Sequence, residues 1–320
     1  MLLSLLRLVV TALVSFFGLT ILTFGISQQN PSALHDYQSA HWLGQYFEYL
    51  GYILQGDWGR SNLSGNDVFS ELFKHLPASI ELLTFALLIA IFAGLLLGIM
   101  AAKNRGSWLD KGLMSATLIG YSMPIFWWGL LLVLLFSLYL GISPVAGRID
   151  YQYYIQPVTR FMLIDTLITN HEYGSAAFFN ALNHLVLPAI TLSWVPMAIM
   201  ARMTRSSLVN ILNFEYIRTA RSKGLSENRI IGVHALRNAM QSLLTIGGLQ
   251  ISILMTGLII TEYIFAWPGV GSWLLSSVAR QDYPSIQGGI LVLSSMVIFL
   301  NLLLEILTNY LDPKKRRPLS

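Results

Sequence analysis

Six apolar runs, each near the length that crosses a bilayer, constrain this chain more than any other feature. They lie at roughly 8–27, 80–102, 113–141, 185–203, 243–262 and 286–309. A helix needs about 20 apolar residues to span the hydrocarbon core. In lipid every backbone polar group must be satisfied internally, so runs of this length fold as helices rather than open sheets. The composition agrees: 54% of residues are hydrophobic and 11% charged, against about 25% charged in soluble domains, and the mean hydropathy is +0.60. The fold class that follows is an all-α polytopic membrane protein with six transmembrane helices. The first run could be read as a secretory signal, because Arg7 precedes it. It is long, however, and Ser27-Gln28-Gln29-Asn30 offers no small-x-small cleavage site, so a retained span is expected.

Orientation follows from the basic residues of the flanks and short loops. Arg7, Lys103, Arg105 and Lys111, the 204–242 loop with Arg202, and the tail Lys314 to Arg317 hold 15 of the 20 Lys and Arg. The remaining five, Arg60, Lys74, Arg148, Arg160 and Arg280, fall on the other side. Both termini and the 204–242 loop are therefore expected in the cytoplasm. The opposite segments, 28–79 and 142–184, are rich in Tyr, Trp, Asn and Asp. They read as too polar to be embedded and are expected to form a small outer cap.

Several function classes are excluded or weakened. The chain has no cysteine, so disulfides, thiolate metal sites and a cysteine nucleophile are impossible. His35, His41, His75, His171, His184 and His234 are scattered and make no HExxH pair, and no GxxxxGK[ST] loop is present to cradle a nucleotide. A net charge of +4 is too diluted among apolar spans to point to nucleic acid. Glu81, Glu262 and Glu305 lie near span ends and read as interfacial acids, not a proton relay. No span carries a visible buried pair of opposite charges, which argues against an ion-coupled carrier. Ser193 and Ser252 lie in spans without a matched catalytic partner and read as packing serines. Ala90, Gly94 and Gly98 form a small-residue stripe expected to pack within the subunit. Pro124, Pro188 and Pro196 favour kinks, which together with Gly247, Gly248 and Gly257 fit helices that tilt and rock.

Two connecting segments stand out. The first, Glu215 to Ala239, reads EYIRTARSKGLSENRIIGVHALRNA and predicts two short helices broken at Gly224. Tyr216, Ala220 and Gly224 fall on one face, Ser226 can cap the second helix, and Glu227 sits in its first turn. A structured cationic elbow between spans is the shape of a handle for another protein. The second, Phe265 to Pro284, contains Trp267-Pro268-Gly269-Val270-Gly271. Its aromatic-proline pair and two glycines favour a shaped turn. Trp267, Pro268, Gly269 and Gly271 are read as a loop lining the outer mouth of a pore, and Trp273 as an interfacial anchor.

The elbow and its neighbours resemble the inner-membrane permease subunits of bacterial ATP-binding-cassette (ABC) importers, in the dipeptide/oligopeptide branch. The general permease motif is EAA, three residues, Gly, nine residues and I-x-L-P. With its glycine on Gly224, the EAA positions fall on Arg218, Thr219 and Ala220, and I-x-L-P on His234, Ala235, Leu236 and Arg237. Only Ala220, Gly224 and Leu236 keep the general pattern. The departures are those of the peptide branch, typically YxRTARAKGL followed by HALRNA. The likeness continues in Gly56-Asp57-Trp58-Gly59-Arg60-Ser61, in Leu76-Pro77-Ala78-Ser79-Ile80-Glu81-Leu82, in Phe265 to Gly271 and in Gln281-Asp282-Tyr283-Pro284. The loop with Pro157-Val158-Thr159-Arg160-Phe161 and Leu163-Ile164-Asp165 looks most like the Sap type, found in systems linked to antimicrobial-peptide resistance.

The resemblance implies a type I ABC importer permease fold. It divides the chain into a first helix at 1–27, a periplasmic segment at 28–79, a transmembrane core at 78–309 containing the coupling elbow 215–239, and a basic tail at 310–320. It implies a non-enzymatic permease of the bacterial inner membrane, with ATP and magnesium used by partner subunits and no cofactor on this chain. The implied partners are a homologous second permease, two cytoplasmic ATPases, a periplasmic solute-binding protein and membrane lipid. Tyr216, Arg218, Thr219, Ala220, Gly224, His234, Leu236 and Arg237 would couple the spans to the ATPases. Cargo, whether peptide, polyamine or haem, and the direction of transport are left open, with an ion-coupled secondary transporter as the alternative.

Overall fold

The computed structural model describes residues 2–28, 41–169 and 173–311. The basic tail Lys314 to Arg317, His35, His171 and part of the expected outer segment lie outside them. Helix α1 (Leu2–Ser27) is the first apolar run. Helix α2 (Trp42–Gln55) follows and lies against the last turns of α1. Phe24, Tyr46 and Tyr49 are buried together there, with Tyr46 Oη and Tyr49 Oη 2.8 and 2.9 Å from the Thr20 and Thr23 hydroxyls. On its other side α2 exposes Leu43, Phe47 and Leu54. The segment 28–79 is therefore not uniformly polar: spacing apolar residues three and four apart gives α2 an apolar stripe that a regional composition averages away.

Helix α3 (Val68–Lys103) starts well before the expected span. Asp67 caps it by accepting the Ser70 amide at 2.7 Å, and Pro77 is accommodated inside it. Asn104 ends it, and Ser107 opens α4 (Trp108–Ser122) by accepting the Asp110 amide at 3.3 Å. The third expected span then breaks. Met123 takes an extended conformation (φ −91°, ψ 137°), as the residue before a proline prefers, and Pro124 begins α5 (Ile125–Leu132), which continues through π-helical turns at Val133–Tyr139. The two halves meet at 107°. The run is thus divided into two helices instead of one kinked helix, and Trp128 Nε1 donates to the Gly120 carbonyl at 3.2 Å, taking up one acceptor that the break frees.

After the short helix α6 (Met162–Ile168), α7 (Ser175–Leu212) runs through Pro188 and Pro196 without interruption. It is the most buried of the candidate spans. Its partner is α3, and the small-residue stripe explains why. A methyl group added at Gly94 would come within 2.6 Å of Met200 Cβ, and one at Gly98 within 2.6 Å of the Ala201 carbonyl oxygen. The stripe thus packs within the subunit, as expected. Helix α8 (Glu215–Ser222) and a turn at Glu227–Arg229, α9, make the elbow. Helices α10 (Leu236–Ile264), α11 (Val270–Ala279) and α12 (Tyr283–Leu311) complete the chain. Among the described residues five helices are long and apolar enough to cross a membrane alone, and the count reaches six when the bent α4–α5 pair is taken as one span.

The core lies between α3, α7, α10 and α11, around Leu82, Leu185, Leu192, Leu254, Leu258 and Trp267. A second cluster nearer the elbow gathers Met200, Leu208, Ile231, Ala235 and Leu243. At the end opposite the elbow, the 142–169 segment folds down as a cap. Asp165 accepts the amides of Thr159 and Arg160 at 2.7 and 2.9 Å, and Asp150 accepts from Asn180 at 2.6 Å.

Candidate functional site: the elbow and the cap-end latch

The elbow is built from its one strongly amphipathic helix. Ile217 and Ala220 are buried against Ile230, with Leu212 and Leu225 around them, while Arg218, Thr219, Arg221 and Ser222 stay exposed. Gly224 adopts φ +79°, the left-handed conformation that favours glycine. The Leu225 amide reaches back to the Ala220 carbonyl at 3.3 Å and the Gly224 amide to Arg221 at 2.9 Å. This is a Schellman turn with its usual apolar contact, here Leu225 against the buried face of α8. Nothing lies within 4 Å of where a Gly224 Cβ would stand, so only backbone strain within the chain holds glycine there.

The second half of the elbow differs from expectation. Ser226 is extended and its hydroxyl caps nothing. Instead of a separate short helix, α9 runs through π-helical turns at Ile230–Ala235 directly into α10. Glu227 spends its charge on Arg221, at 2.7 and 3.3 Å, across the glycine turn. The guanidinium holds the Glu227 carboxyl below its ordinary range, mainly through that hydrogen bond. Both side chains are about half exposed, so solvent screens much of the attraction. Asn238 donates to Tyr216 Oη at 2.9 Å, and Lys103 Nζ donates to Asn228 at 3.1 Å. The elbow is thereby tied to α10 and α3.

Of the eight residues singled out, the fold leaves Tyr216, Arg218, Thr219, Gly224 and Arg237 exposed. His234 and Leu236 are half-buried, and Ala220 is buried. The single small face expected from Tyr216, Ala220 and Gly224 is therefore divided, because Ala220 faces inward and Tyr216 is engaged by Asn238. Ile217 and Ile230, the residues that hold the elbow together, were missed. Their signal in the sequence is spacing: Ile217 falls three residues before Ala220 on one face of α8, and Ile230 opens the apolar stretch Ile230-Ile231-Gly232-Val233.

The Trp267–Gly271 segment is turned into the protein. Trp267 is 1% exposed, and its Nε1 donates to the Ala78 carbonyl at 2.9 Å. Gly269, Val270 and Gly271 are buried and only Pro268 is exposed. Their neighbour is Glu262, itself fully buried. Its carboxylate accepts the Ser79 hydroxyl at 2.5 Å and the Ser272 amide at 3.0 Å, and Ser79 Oγ accepts the Val270 amide at 2.8 Å. A Cβ built at Gly269 would overlap that carboxylate, and one at Gly271 would stand 2.7 Å from Ile259 Cα. The glycines serve close approach to a buried acid. The four residues do not converge on one open face.

The fold corrects the expectation that Glu81 and Glu262 are ordinary interfacial acids and that opposite charges are not paired, whereas Glu305 is exposed. Arg148 binds Glu81, both nearly buried. Glu81 also accepts the Leu163 amide at 2.9 Å, and the Arg148 guanidinium lies 5.4 Å from the Trp267 ring centroid. This latch joins the cap loop, α3 and the Trp267 segment. At the elbow end Asp110 accepts Arg205 in a fork, at 2.5 and 2.6 Å. Each pair joins residues far apart in sequence, which is why no span displayed it. Among the described residues no group of three His, Asp or Glu side chains converges as a metal site.

Residues 94–317 match the family described as binding-protein-dependent transport system inner membrane component. The di/tripeptide transport system permease protein DppB of Pseudomonas aeruginosa is 45% identical over 94% of this chain and 95% of its own length. The peptide transport system permease protein SapB of Salmonella typhimurium is 35% identical over 98% of this chain and 97% of its own. The Dpp-type likeness is thus the greater, although one cap loop looks Sap-like. Among solved structures, the inward-facing MetNI methionine ABC transporter matches with a TM-score of 0.52 at 15% identity, covering 73% of this chain and 94% of that one, which is a likeness of fold. The bundle, its broken third span and its elbow have the type I importer permease architecture, and the chain belongs to the family of binding-protein-dependent transport system inner membrane components.

Proposed function

We propose that this chain is one half of a heterodimeric peptide pore in a bacterial inner membrane, driven by ATP that is hydrolysed, with magnesium, in two cytoplasmic partner subunits. The observation that carries the reading is the elbow: a short helix clamped to the roots of two spans and presenting Arg218, Thr219 and Arg237 to solvent. A clamped helix transmits a rigid-body push that a flexible loop would absorb. The basic elbow end faces the cytoplasm with both termini, and the cap end receives a periplasmic solute-binding protein. Peptide cargo rests on the di/tripeptide and peptide permeases to which the chain is similar. Family membership supports ATP-driven transport over the ion-coupled alternative.

The test is reconstitution of the chain with its partner subunits and uptake of a labelled dipeptide. Uptake requires ATP and persists when the proton gradient is collapsed. Transport by this chain alone under an imposed ion gradient would overturn the assignment. Gly224→Val strains the left-handed turn and is expected to weaken ATPase co-purification and abolish uptake while membrane insertion is kept. Unchanged uptake and co-purification would remove the elbow from the coupling role. A Ser226→Cys variant reacts with an impermeant thiol reagent in inside-out vesicles and not in intact spheroplasts. The reverse pattern defeats the orientation.

A further inference from the structure

Two arginines one helical turn apart on α7 have different fates. Arg205 is engaged by Asp110, whereas Arg202, exposed on the same helix, has no hydrogen-bond or ion-pair partner among the described residues. Arg202 opens into a cleft of about 320 Å³ between α4 and α7, lined also by Tyr121, Ala198, Ile199 and Met203. It stands one residue before the end of the apolar run 185–203, one turn before Arg205. A cation exposed to hydrocarbon is costly, so such residues face water or a polar surface. The other wall points the same way. Tyr121 is two residues before the break at Met123–Pro124, and Ser122 and Pro124 are exposed beside it. Unwound backbone at membrane depth is tolerated where it is buried in protein or lines a watery cavity.

We infer that Arg202 and Tyr121 form a carboxylate-binding station on the route of the cargo, taking the C-terminal carboxylate of a peptide. The guanidinium presents a fixed fork of donors that matches a carboxylate in two-point contact, and the phenol adds a further donor. Ala198, Ile199 and Met203 leave the remaining wall apolar and free of demands on side-chain identity. The C-terminal carboxylate is the one anion shared by all peptides whatever their sequence, so a site for it steers cargo without selecting it. This inference rests on the peptide-permease reading.

The experiment uses the whole reconstituted transporter with Met203→Cys as a reporter in a chain that has no other cysteine. Labelling of this chain by an anionic and a cationic methanethiosulfonate reagent is compared, with Arg202 intact, as Arg202→Lys and as Arg202→Gln. A fixed cation in a narrow cleft concentrates anions, so the anionic-to-cationic rate ratio is expected to fall about tenfold in Arg202→Gln and to persist in Arg202→Lys. Dialanine protects the cysteine, dialanine amide does not, and Arg202→Gln loses the protection. An equal rate ratio in all three forms, or no reaction with either reagent, overturns the station. Protection that requires phosphatidylglycerol in the vesicles and ignores dialanine assigns the anion site to a lipid headgroup and overturns it equally. Dialanine uptake by the transporter carrying no substitution, measured in vesicles of the same composition, separates the two levels. Absent uptake defeats the peptide reading itself, whereas normal uptake with unchanged labelling defeats only the station.

Discussion

Ile217→Ala is the sharpest probe of the elbow as a rigid element. Ile217 is fully buried in a cluster whose other buried members are Ala220 and Ile230. Truncating a buried isoleucine to alanine costs about 2–5 kcal/mol, from lost transfer energy plus the cavity left behind. The elbow has few neighbours that can collapse into the gap, and its remaining ties are the half-exposed Arg221–Glu227 pair and single hydrogen bonds from Asn238 and Lys103. The loss therefore falls on local opening rather than on the whole bundle. At the low end of that range the open fraction rises about 30-fold, since each 1.4 kcal/mol is tenfold. Arg218, Arg221 and Lys223 make the elbow a trypsin target once it opens. When opening is fast relative to cleavage, the cutting rate follows the open population. Trypsin added to inside-out vesicles should cut Ile217→Ala at least 30-fold faster there, and transport should fall with ATP hydrolysis retained. Ile217→Leu, which keeps the volume, should stay close to wild type. Equal tryptic rates in wild type and Ile217→Ala, with transport unchanged, would refute the claim that this small cluster makes the elbow rigid.

Three further outcomes follow from the packing. Gly98→Leu forces a side chain into the Ala201 carbonyl and Thr204, so α3 and α7 separate and the chain fails to accumulate in membranes, read by immunoblot; Gly247→Leu, at a position open to space, accumulates normally. Gly269→Ala sets a methyl group against the Glu262 carboxylate and should lower the melting temperature of the purified protein; a variant that melts normally but transports poorly would restore the pore-mouth reading. Glu227 is held below its ordinary range by Arg221, so the contribution of this pair is fully present above the unfolded carboxyl value and is lost as pH falls through the depressed one. Amide exchange of the elbow, corrected for intrinsic rates, should therefore rise modestly on acidification in wild type and stay flat with pH in Glu227→Gln.

Membership in a helical membrane class was legible from six apolar runs because lipid leaves the backbone almost no other choice. Gly224 as a helix stop and the Gly94/Gly98 stripe as a packing seam were equally legible, since each depends on local backbone geometry or on spacing along one helix. What composition and spacing could not disclose is which distant groups meet. Glu81 and Glu262 sit at span ends, where an acid is ordinarily solvated. Only the return of the cap loop to α3, bringing Arg148, and of the Trp267 segment to Ser79, makes them buried and bonded. Trp267 and its glycines carry the pattern of an exposed turn, yet the tertiary fold uses them as an inward plug because a buried carboxylate needs neighbours without side chains. Pro124 announced a kink, and the 107° break was decided by how α5 docks on α7 and α10. Local sequence determines conformations that are paid for within a few residues; burial and charge pairing are energies of contact between segments far apart in the chain, and they exist only once the fold has brought those segments together.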